Sequence, residues 1–589
     1  SEFREGSFDF QTSQQNRYTY DSMNRLASIT KPTGGVQQFT YDATGAVLSE
    51  TDENQHQTKY ENDLYGQTKS RILANGARYS YAYDKLGRLS KQTAPKGLSQ
   101  SYHYDVSGNL IKQVDQSKRE TRYTYDKSGH VLTTTNPANL TTKFSYDDSG
   151  NLTQATTPNG LKTSYNYDVM DRLKAVTQPT GRQTTYDYDP VGQLTTRTIN
   201  GDRKETYHYD PNGNLTQTIN AKGQKRTKNY DDSNRLITET DTAGRRTAYR
   251  YDKDDRLTRI MASTGTTSDL SYDENGNLTQ VASGGKRLNT YRYDKADQLI
   301  EAKVGLDKEA SKTSYAYDAV GNVTEITNGN GKKTTYRYDE LSNVVEKVNS
   351  LGDKTAYTYD AENRLKKVKQ ANQKTITYDY NTLDQLLKVD YSEKSDGQVL
   401  YTYDADGRRV SMNDLTGQTD YAYNDAGDIT GLRQGDGSLI QYAYDKYGNI
   451  KQLTYPDGSQ VAYRYDELDR LIEVIDKDKQ KTRYTYDDAG NMTAVKRADG
   501  SRSYMRYRLD NRIEQITHLD KKGKTISAYD YDYDADNQIS EERITQDGET
   551  LVQKYVYDSL GQLTQMTIYD QTKKHEKADY QYTYDQAGN

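Results

Sequence analysis

Tyr207-His208-Tyr209-Asp210-Pro211-Asn212-Gly213-Asn214-Leu215 is the stretch that decides the fold, because variants of it return along the chain with a fixed period of 21. We take the second tyrosine of each Tyr-x-Tyr-Asp match as the marker of one unit. The marker keeps this period from Tyr20 to Tyr293, with Asn62 replacing it once, and the spacing loosens afterwards. We count 27 units. Self-similarity at a fixed period predicts a repeat array in which each unit packs on its neighbours.

The signature couples five positions of each unit: two tyrosines, an aspartate, a turn residue and an apolar residue. We predict a structural role for all five, and we predict no catalytic, cofactor-binding or metal-binding residue. Four representative units supply the signature residues Tyr81, Tyr83, Asp84, Gly87 and Leu89; Tyr102, Tyr104, Asp105, Gly108 and Leu110; Tyr207, Tyr209, Asp210, Gly213 and Leu215; and Tyr442, Tyr444, Asp445, Gly448 and Ile450.

The residues after the marker specify a turn. The next residue is Asp in 24 of 27 units, and Asp at the first position of a type I turn accepts hydrogen bonds from the amides of that turn. Four positions past the marker the residue is Gly in 16 units, Asn in 5, Asp in 5 and Ser once. Gly, Asn and Asp tolerate a left-handed backbone. The pattern therefore predicts a three-residue hairpin loop, in which a type I turn is closed by a left-handed residue in a bulge.

This loop fixes the register of the two strands that it joins. It places the marker across from the residue six positions later, which is apolar in 24 of the 26 units that contain it. The first tyrosine lies two residues before the marker and shares its face, because strand side chains alternate. We therefore predict a Tyr-Tyr-Leu cluster on one sheet face of each unit, with cross-strand pairs that contribute roughly 0.2–1 kcal/mol each.

A second turn is predicted near the middle of each period. Pro32-Thr33-Gly34-Gly35, Asn75-Gly76 and Pro158-Asn159-Gly160 are examples of its turn chemistry. One unit is then two strands of about 7 residues that continue as a meander. We attribute the looser spacing after Tyr293 to variation in the length of this second turn.

Bulk composition alone would indicate disorder. Mean hydropathy is −1.11 and the hydrophobic fraction is 32%, but 48 of the 57 tyrosines occupy signature positions, which supplies regularly placed aromatic surface. The net charge of −6 comes from 80 basic and 86 acidic residues that are well mixed, which argues against nucleic acid as a partner. Cysteine is absent, which excludes disulfides and thiolate metal sites, and no apolar run is long enough for a membrane span. We expect a monomer.

The array predicts an all-β fold of tandem hairpins that form one long antiparallel sheet. Two strands per unit give about 54 strands, or roughly 260 Å of ribbon at ~4.8 Å per strand. Twisted sheets of that size curl or close, so we expect a spiral or a hollow shell. We interpret residues 1–14 as a cloning remnant and irregular lead-in, and residues 15–589 as one repeat domain that is truncated within its last unit. The chain is interpreted as a piece excised from a longer protein.

The signature resembles the YD repeat of bacterial Rhs and WapA-type proteins, which also occurs in the shell components of Tc toxins and in teneurins. The resemblance covers essentially residues 15–589 and implies a β-sheet that winds into a hollow shell. In the toxin members the shell encloses a C-terminal toxic domain, so the resemblance implies a secreted or cell-surface bacterial protein. The self-cleavage segment that follows the repeats in such members has no match here, and neither a toxin-like domain nor a plug domain is recognised. Release of a cargo is therefore not assigned to any residue.

The sequence gives no support to catalysis. The six histidines are scattered and none recurs with an acidic partner, while each signature aspartate already has a turn to stabilise. Stacked aspartate turns offer oxygen ligands for calcium, but the chain lacks the Gly-Gly-x-Gly-x-Asp repeat of calcium-binding β-rolls. We predict a non-catalytic protein without a cofactor.

Two main hypotheses of function remain open. The first is a container that encloses the toxin or cargo domain of the parent chain and helps to deliver it. The alternative is an extracellular adhesin or carbohydrate-binding scaffold, built on an open β-spiral, with cell-surface glycans as partners. A weaker hypothesis is an inert spacer. A container requires a closed wall, whereas an adhesin requires an accessible, repeated outer surface.

Overall fold

The computed structural model describes residues 15–284, 287–305, 311–393, 395–558 and 560–585. In this part of the chain 53 strands form one open antiparallel sheet, in which every strand pairs with the strand that follows it. A single 3-10 turn, Pro95–Gly97, is the only helical element of the described residues. The predicted all-β fold is confirmed. The lead-in predicted for residues 1–14 lies outside the described residues.

The odd-numbered strands share one rule: from β1 to β51, each ends at the marker position of its unit. They are β1 (Arg17–Tyr20), β3 (Val36–Tyr41), β5 (Gln57–Asn62), β7 (Arg78–Tyr83), β9 (Ser99–Tyr104), β11 (Glu120–Tyr125), β13 (Thr141–Tyr146), β15 (Lys162–Tyr167), β17 (Gln183–Tyr188), β19 (Arg203–Tyr209), β21 (Lys225–Tyr230), β23 (Arg246–Tyr251), β25 (Thr267–Tyr272), β27 (Arg287–Tyr293), β29 (Ser311–Tyr317), β31 (Lys333–Tyr338), β33 (Lys354–Tyr359), β35 (Thr375–Tyr380), β37 (Gln398–Tyr403), β39 (Gly417–Tyr423), β41 (Leu439–Tyr444), β43 (Gln460–Tyr465), β45 (Lys481–Tyr486), β47 (Arg502–Tyr507), β49 (Thr525–Tyr533), β51 (Glu549–Tyr557) and β53 (Glu576–Gln581).

Each even-numbered strand begins six residues after a marker. They are β2 (Leu26–Thr30), β4 (Val47–Thr51), β6 (Thr68–Ile72), β8 (Leu89–Thr93), β10 (Leu110–Val114), β12 (Val131–Thr135), β14 (Leu152–Thr156), β16 (Leu173–Thr177), β18 (Leu194–Ile199), β20 (Leu215–Ile219), β22 (Leu236–Thr240), β24 (Leu257–Met261), β26 (Leu278–Ser283), β28 (Leu299–Val304), β30 (Val323–Thr327), β32 (Val344–Val348), β34 (Leu365–Lys369), β36 (Leu386–Tyr391), β38 (Arg409–Asp414), β40 (Ile429–Arg433), β42 (Ile450–Thr454), β44 (Leu471–Ile475), β46 (Met492–Lys496), β48 (Ile513–Leu519), β50 (Ile539–Gln546) and β52 (Leu563–Asp570).

The strand lengths explain the period of 21. In a typical unit, β9 has 6 residues and β10 has 5 residues. The signature turn (the five residues after the marker) and the second turn (the five residues between an even strand and the next odd strand) fill the remainder. The strands predicted from the sequence were therefore too long, because the second turn takes as many residues as the first. Both turns close with the same pair of hydrogen bonds, as in Asp105–Asn109 and Asp115–Arg119.

The looser spacing after Tyr293 arises only partly in the second turn. Between Tyr507 and Tyr557 the strands themselves lengthen: β48 has 7 residues, β49 has 9, β50 has 8 and β51 has 9. The second turn between β50 and β51 is at the same time reduced to Asp547 and Gly548. The prediction that turn length alone varies was wrong here, because extra residues that alternate correctly extend both strands of a hairpin together.

Besides the bulge predicted within the turn, every signature hairpin contains a second bulge that the sequence did not reveal. Tyr104 faces Leu110 as predicted, but His103 faces Lys112, so Ile111 is an extra residue on β10. The same shift recurs in all 26 odd-to-even strand pairs, for example at β11–β12 and β19–β20. A bulge bends its strand and increases the local twist. Because one bulge occurs in every unit on the same side of the marker, the bends add up and wind the ribbon.

The ribbon winds so that its two edges meet. Second turns hydrogen-bond to signature turns that lie 240 to 266 residues later in the chain, as at Asn54–Asp294, Thr33–Asn275 and Lys31–Asp297. The offset persists further along, at Thr157–Asp406 and Thr242–Asp488. One revolution of the spiral therefore contains about twelve units. We call this line of contact, between the second turns of the first 13 units and the signature turns of units 13 to 25, the seam.

The hydrophobic surface is buried between neighbouring units rather than in a central core. In internal units the signature tyrosines are half-buried, whereas those of the first unit, Tyr18 and Tyr20, and of the last described unit, Tyr582 and Tyr584, are exposed. Each tyrosine is thus covered by the unit beside it, as expected of an array that is stabilised by nearest neighbours.

Candidate functional site

The signature turn is held by its aspartate. In the unit of Tyr83, Asp84 Oδ1 accepts hydrogen bonds from the backbone N–H groups of Leu86 (2.9 Å) and Arg88 (3.0 Å). Gly87 has φ +77°, which places it in the left-handed region. Across the described units the fourth residue after the marker always has positive φ, whether it is Gly, Asn, Asp or Ser342. The predicted turn is confirmed by this geometry.

The marker tyrosine joins its unit to the preceding one. The Tyr104 hydroxyl donates a hydrogen bond of 2.9 Å to the backbone carbonyl of Leu89, 15 residues earlier. Tyr83 binds Thr68 and Tyr444 binds Ile429 in the same way. The accepting residue is the first residue of the preceding even strand, whose carbonyl lies beside the bulge. The marker hydroxyl thus supplies a hydrogen-bond donor to a backbone carbonyl beside the bulge, where the regular hydrogen bonding between the strands is interrupted.

A further joining residue was missed by the sequence analysis: the fifth residue after the marker. The Arg88 Nε donates to Asp84 Oδ2 (2.7 Å) within its own turn, and an Arg88 terminal nitrogen donates to the Asp105 carbonyl (3.0 Å) in the next turn. The guanidinium lies 4.7 Å from the centre of the Tyr104 ring. One side chain therefore contacts the aspartate of its own unit and both the turn and the tyrosine of the next.

Where this fifth residue is Asn, it contacts the turn of the next unit. Asn214 Nδ2 donates to Asn234 Oδ1 at 2.7 Å, and Asn277 Nδ2 donates to Asp297 Oδ1 at 2.7 Å. Where it is Gln, as at Gln67, the amide reaches the carbonyl of a glycine instead, here Gly87 at 2.9 Å. The longer side chain fits the smaller partner. The pairing of the fifth residue of one turn with the fourth residue of the next turn is visible in the sequence. It was missed because the two residues are separated by most of a repeat.

In all four representative units the structure pairs the marker with the predicted apolar residue: Tyr83 with Leu89, Tyr104 with Leu110, Tyr209 with Leu215 and Tyr444 with Ile450. Gly87, Gly108, Gly213 and Gly448 all have positive φ. The aspartates Asp84, Asp105, Asp210 and Asp445 each accept a backbone hydrogen bond from the residue four positions later.

The sequence left the cross-strand partner of the first tyrosine unspecified. Because of the bulge, the residue nine positions after the marker lies across from the first tyrosine. The four pairs are Tyr81 with Gln92, Tyr102 with Gln113, Tyr207 with Thr218 and Tyr442 with Leu453. This partner of the first tyrosine is polar in three of these units: Gln92, Gln113 and Thr218.

The seam is held by polar contacts, and its most enclosed cation is Arg203. An Arg203 terminal nitrogen donates to Asp469 Oδ1 at 2.5 Å, and the other donates to the Asp466 carbonyl at 3.1 Å. The guanidinium also lies 3.3 Å from the centre of the Tyr447 ring. Arg203 is 8% exposed, so this charge is neutralised within the seam rather than by solvent.

The pKa of the Asp466 carboxyl depends on hydrogen bonds within its own turn and across the seam. Desolvation raises the pKa of its carboxyl, but hydrogen bonds from Arg470, the backbone and Lys222 outweigh this effect and lower the pKa to about 2. Lys222 belongs to a second turn, and its Nζ lies 3.1 Å from Asp466 Oδ2 across the seam. Along exposed turns the pKa of Asp105 and of Asp210 is also lowered, chiefly by side-chain hydrogen bonds from Asn109 and Asn214.

The contacts described above join strands, neighbouring units and consecutive revolutions. Within the described residues no cluster of three or more His, Asp or Glu is placed to hold a metal ion. The same part of the chain contains no helix of the length and apolarity that a membrane crossing requires. The polar clefts run along the seam, as between Asn200, Asp428 and Lys446.

These features define a tandem β-hairpin scaffold in which one sheet winds into a wall. The family profile described as Teneurin YD-shell matches more than half of the chain, so the protein belongs to this YD-shell family. Its matches cover residues 7–136, 283–450 and 379–477. The profile described as RHS Repeat matches residues 146–183, 171–204, 188–225, 230–268, 251–288 and 465–502. Comparison with curated proteins gives no match.

Solved Tc toxin structures share the fold. The crystal structure of TcdB2-TccC3 has a TM-score of 0.57 at 13% identity, over 97% of this chain and 42% of that one. The Photorhabdus luminescens Tc holotoxin pore has a TM-score of 0.61 at 13% identity, over 98% and 42%. The crystal structure of TcdB2-TccC3-Cdc42 has a TM-score of 0.51 at 14% identity, over 95% and 41%. This chain spans about two fifths of the length of the chains that it matches.

Proposed function

We propose that the chain is a non-catalytic wall segment of a larger secreted or surface bacterial protein of the toxin type. In this proposal the wall encloses a C-terminal toxic domain that is not part of the chain, and helps to deliver it. Membership of the YD-shell family and the likeness to Tc toxin shells support the class of scaffold.

The observation that carries the proposal is the seam. Consecutive revolutions contact each other through Lys31–Asp297, Arg119–Asp384 and Arg203–Asp469, so the sheet has no gap between revolutions there. About 24 strands per revolution at ~4.8 Å give a circumference of roughly 115 Å and a diameter of about 37 Å. A wall of this size leaves a lumen fit for a small folded or unfolded domain.

The alternative, an adhesin on an open spiral, is less well supported. An open spiral does not need contacts between revolutions, and a glycan-binding row needs exposed aromatic rings. The signature tyrosines of internal units are instead half-buried against neighbouring units. Glycans therefore remain a partner only of the alternative.

Protection of a fused cargo tests the proposal. A small reporter domain with an exposed protease site is joined after Asn589, and its digestion rate is compared in two variants. Arg119→Glu with Arg203→Glu places like charges against Asp384 and Asp469 and opens the seam. The matched variant, Arg337→Glu with Arg506→Glu, makes the same charge change at exposed strand positions.

We expect slow digestion in the parent fusion and in the matched variant, and fast digestion in the seam variant. Equal digestion in all three fusions, at the rate of the free reporter, would contradict containment. Circular dichroism of each variant shows whether the hairpins remain folded.

A further inference from the structure

One contact of the seam brings a lysine, an aspartate and an enclosed glutamate together. Lys31 Nζ lies 2.7 Å from Asp297 Oδ2 across the seam, and 2.7 Å from Glu53 Oε1 in the next second turn. The side chains of Lys31 and Asp297 are 26% and 27% exposed, whereas that of Glu53 is only 9% exposed. An amine nucleophile, a carboxyl group and a second carboxylate that can carry protons are the groups needed to join two side chains by an amide.

The Asp297 carboxyl is oriented by two side-chain amides. Asn275 Nδ2 and Asn277 Nδ2 each donate a hydrogen bond of 2.7 Å to Asp297 Oδ1, whereas Oδ2 faces Lys31. Asn275 is itself fixed across the seam, because the backbone N–H of Thr33 donates to its Oδ1 at 3.1 Å. When an amine attacks a carboxyl carbon, negative charge develops on the oxygen that stays, and fixed donors stabilise it there. Oδ1 is therefore suited to remain and Oδ2 to leave.

The Glu53 carboxylate occupies space that a glycine leaves open. A Cβ added to Gly35 would lie 3.0 Å from Glu53 Cγ and 2.6 Å from the Lys295 carbonyl oxygen. A side chain at this position would therefore crowd both groups. Glycine lets the second turn that carries Lys31 pack closely against Glu53, which keeps the amine and the second carboxylate in contact.

Another lysine of the seam, Lys222, has a different third group. Its Nζ lies 3.1 Å from Asp466 Oδ2, and the same oxygen lies 2.7 Å from a terminal nitrogen of Arg470. A guanidinium stays protonated, so it holds this carboxylate ionised and cannot carry a proton away from the amine. Lys222 and Asp466 therefore form an ion pair only, and they provide an internal control for Lys31.

We propose that Lys31 and Asp297 become joined by an isopeptide bond, an amide between the two side chains, with Glu53 as the proton carrier. Lys31 Nζ attacks Asp297 Cγ, so a Cγ–N bond forms and the Cγ–Oδ2 bond breaks. Two of the three ammonium protons pass by way of Glu53 to Oδ2, which leaves as one water molecule. Glu53 returns to its starting state, and the balance requires no other reactant.

The unreacted pair is ionic, so the bond forms slowly. Burial works to lower the pKa of the Lys31 ammonium, but hydrogen bonds with Asp297 and Glu53 outweigh it and raise the pKa. Burial likewise works to raise the pKa of the Asp297 carboxyl, but hydrogen bonds from Lys31, Asn275 and Asn277 lower it. Attack requires the neutral amine, which forms when a proton moves to a neighbouring carboxylate. Because the folded chain keeps the two groups in contact, a small neutral population is sufficient over time.

The bond fastens the first revolution of the sheet to the second. It closes a ring of the chain between residues 31 and 297, which lie on opposite sides of the seam. Containment requires only contact across the seam, so a covalent fastening goes beyond the proposed function. An ion pair separates when the chain unfolds, whereas an amide persists in denaturant, and this difference makes the bond measurable.

Intact mass spectrometry of the full chain, denatured after the folded protein has been incubated for increasing times, tests the proposal. We expect the unaltered chain to lose the mass of one water molecule, and its protease digest to contain a branched peptide that joins Lys31 to Asp297. Lys31→Arg keeps the charge but not the amine, so its mass should stay that of its sequence. Glu53→Gln removes the proton carrier, and we expect it to slow the reaction by about a hundredfold or more.

Lys222→Arg is the matched control, and we expect it to lose water as the unaltered chain does. An unaltered chain that keeps its full mass after the longest incubation overturns the proposal. Loss of water that persists in Lys31→Arg overturns it as well, because the water then comes from an aspartate elsewhere. A Glu53→Gln chain that reacts at the unaltered rate overturns the role of Glu53. Cargo protection is tested with variants at Arg119 and Arg203, so the two proposals fail separately.

Discussion

The Tyr104 hydroxyl donates to the backbone carbonyl of Leu89, and this bond joins consecutive units of the array. The accepting carbonyl lies at the start of β8, next to the bulge that bends the ribbon. The tyrosine that gives the repeat its signature is therefore a joint between units as well as an apolar surface. Such joints can be tested within one unit, between neighbouring units and across the seam.

Removing one hydroxyl at this joint lowers stability without changing the fold. We expect Tyr104→Phe to lower the free energy of unfolding by about 1 kcal/mol, because the Leu89 carbonyl loses its partner. Tyr102→Phe is the control, since the Tyr102 hydroxyl binds only the Gln100 side chain of its own strand. Urea unfolding followed by tyrosine fluorescence measures both. An equal effect of the two variants would show that the bond between units adds nothing.

The left-handed turn position tolerates Asn better than Ala. Gly192 has φ +92°, and a Cβ added there would meet no atom within 4 Å, so any penalty comes from the backbone and not from crowding. We expect Gly192→Ala to cost about 1–2 kcal/mol. Gly192→Asn is expected to cost less, because Asn234 already occupies the equivalent position at φ +61°. Thermal unfolding ranks the two variants, and the reverse order contradicts the turn assignment.

Adjacent units are matched through the fifth residue of one turn and the fourth of the next. We expect Asn214→Gln to destabilise the chain, since the longer amide no longer fits Asn234. Asn234→Gly in the same chain is expected to restore part of the loss, because Gln67 already binds Gly87 in this way. A double-mutant cycle gives the coupling free energy, expected at about 0.5–1 kcal/mol. Additive effects would refute the match.

Acid weakens the signature turn of Asp466, whose carboxyl is held mainly by Arg470 and the backbone of its own turn and also by Lys222 across the seam. Its pKa in the folded chain is about 2 and lies below the ordinary value of 3.8, so ionised Asp466 stabilises the fold above about pH 4. This contribution, about 2 kcal/mol, is lost as the pH falls from about 4 through 2. We expect Asp466→Asn to be less stable than the parent chain at pH 7, and the difference to shrink toward pH 2. Urea midpoints at several pH values measure it, and a constant difference would contradict the assignment.

The local structure could be predicted because the same residue types recur at the same positions in nearly every unit. Asp84 and Gly87 specify the turn, and the turn fixes the pairing of Tyr83 with Leu89. The bulge at Ile111 could not be predicted, because no residue type marks that position.

The seam could not be predicted either. Its offset of about twelve units depends on the sum of many small bends, so the contact between Arg203 and Asp469, 266 residues apart, leaves no local signal.

The bulge in every hairpin determines how the dimensions of the wall change when repeats are added. With about twelve units per revolution, each unit turns the ribbon by about 30°. Because that angle is a property of one unit, the bore of the cylinder is independent of the number of units. Duplication of a repeat lengthens the cylinder and leaves its width unchanged, so internal capacity rises in proportion to repeat number. Added repeats therefore extend the wall without altering any contact inside a hairpin.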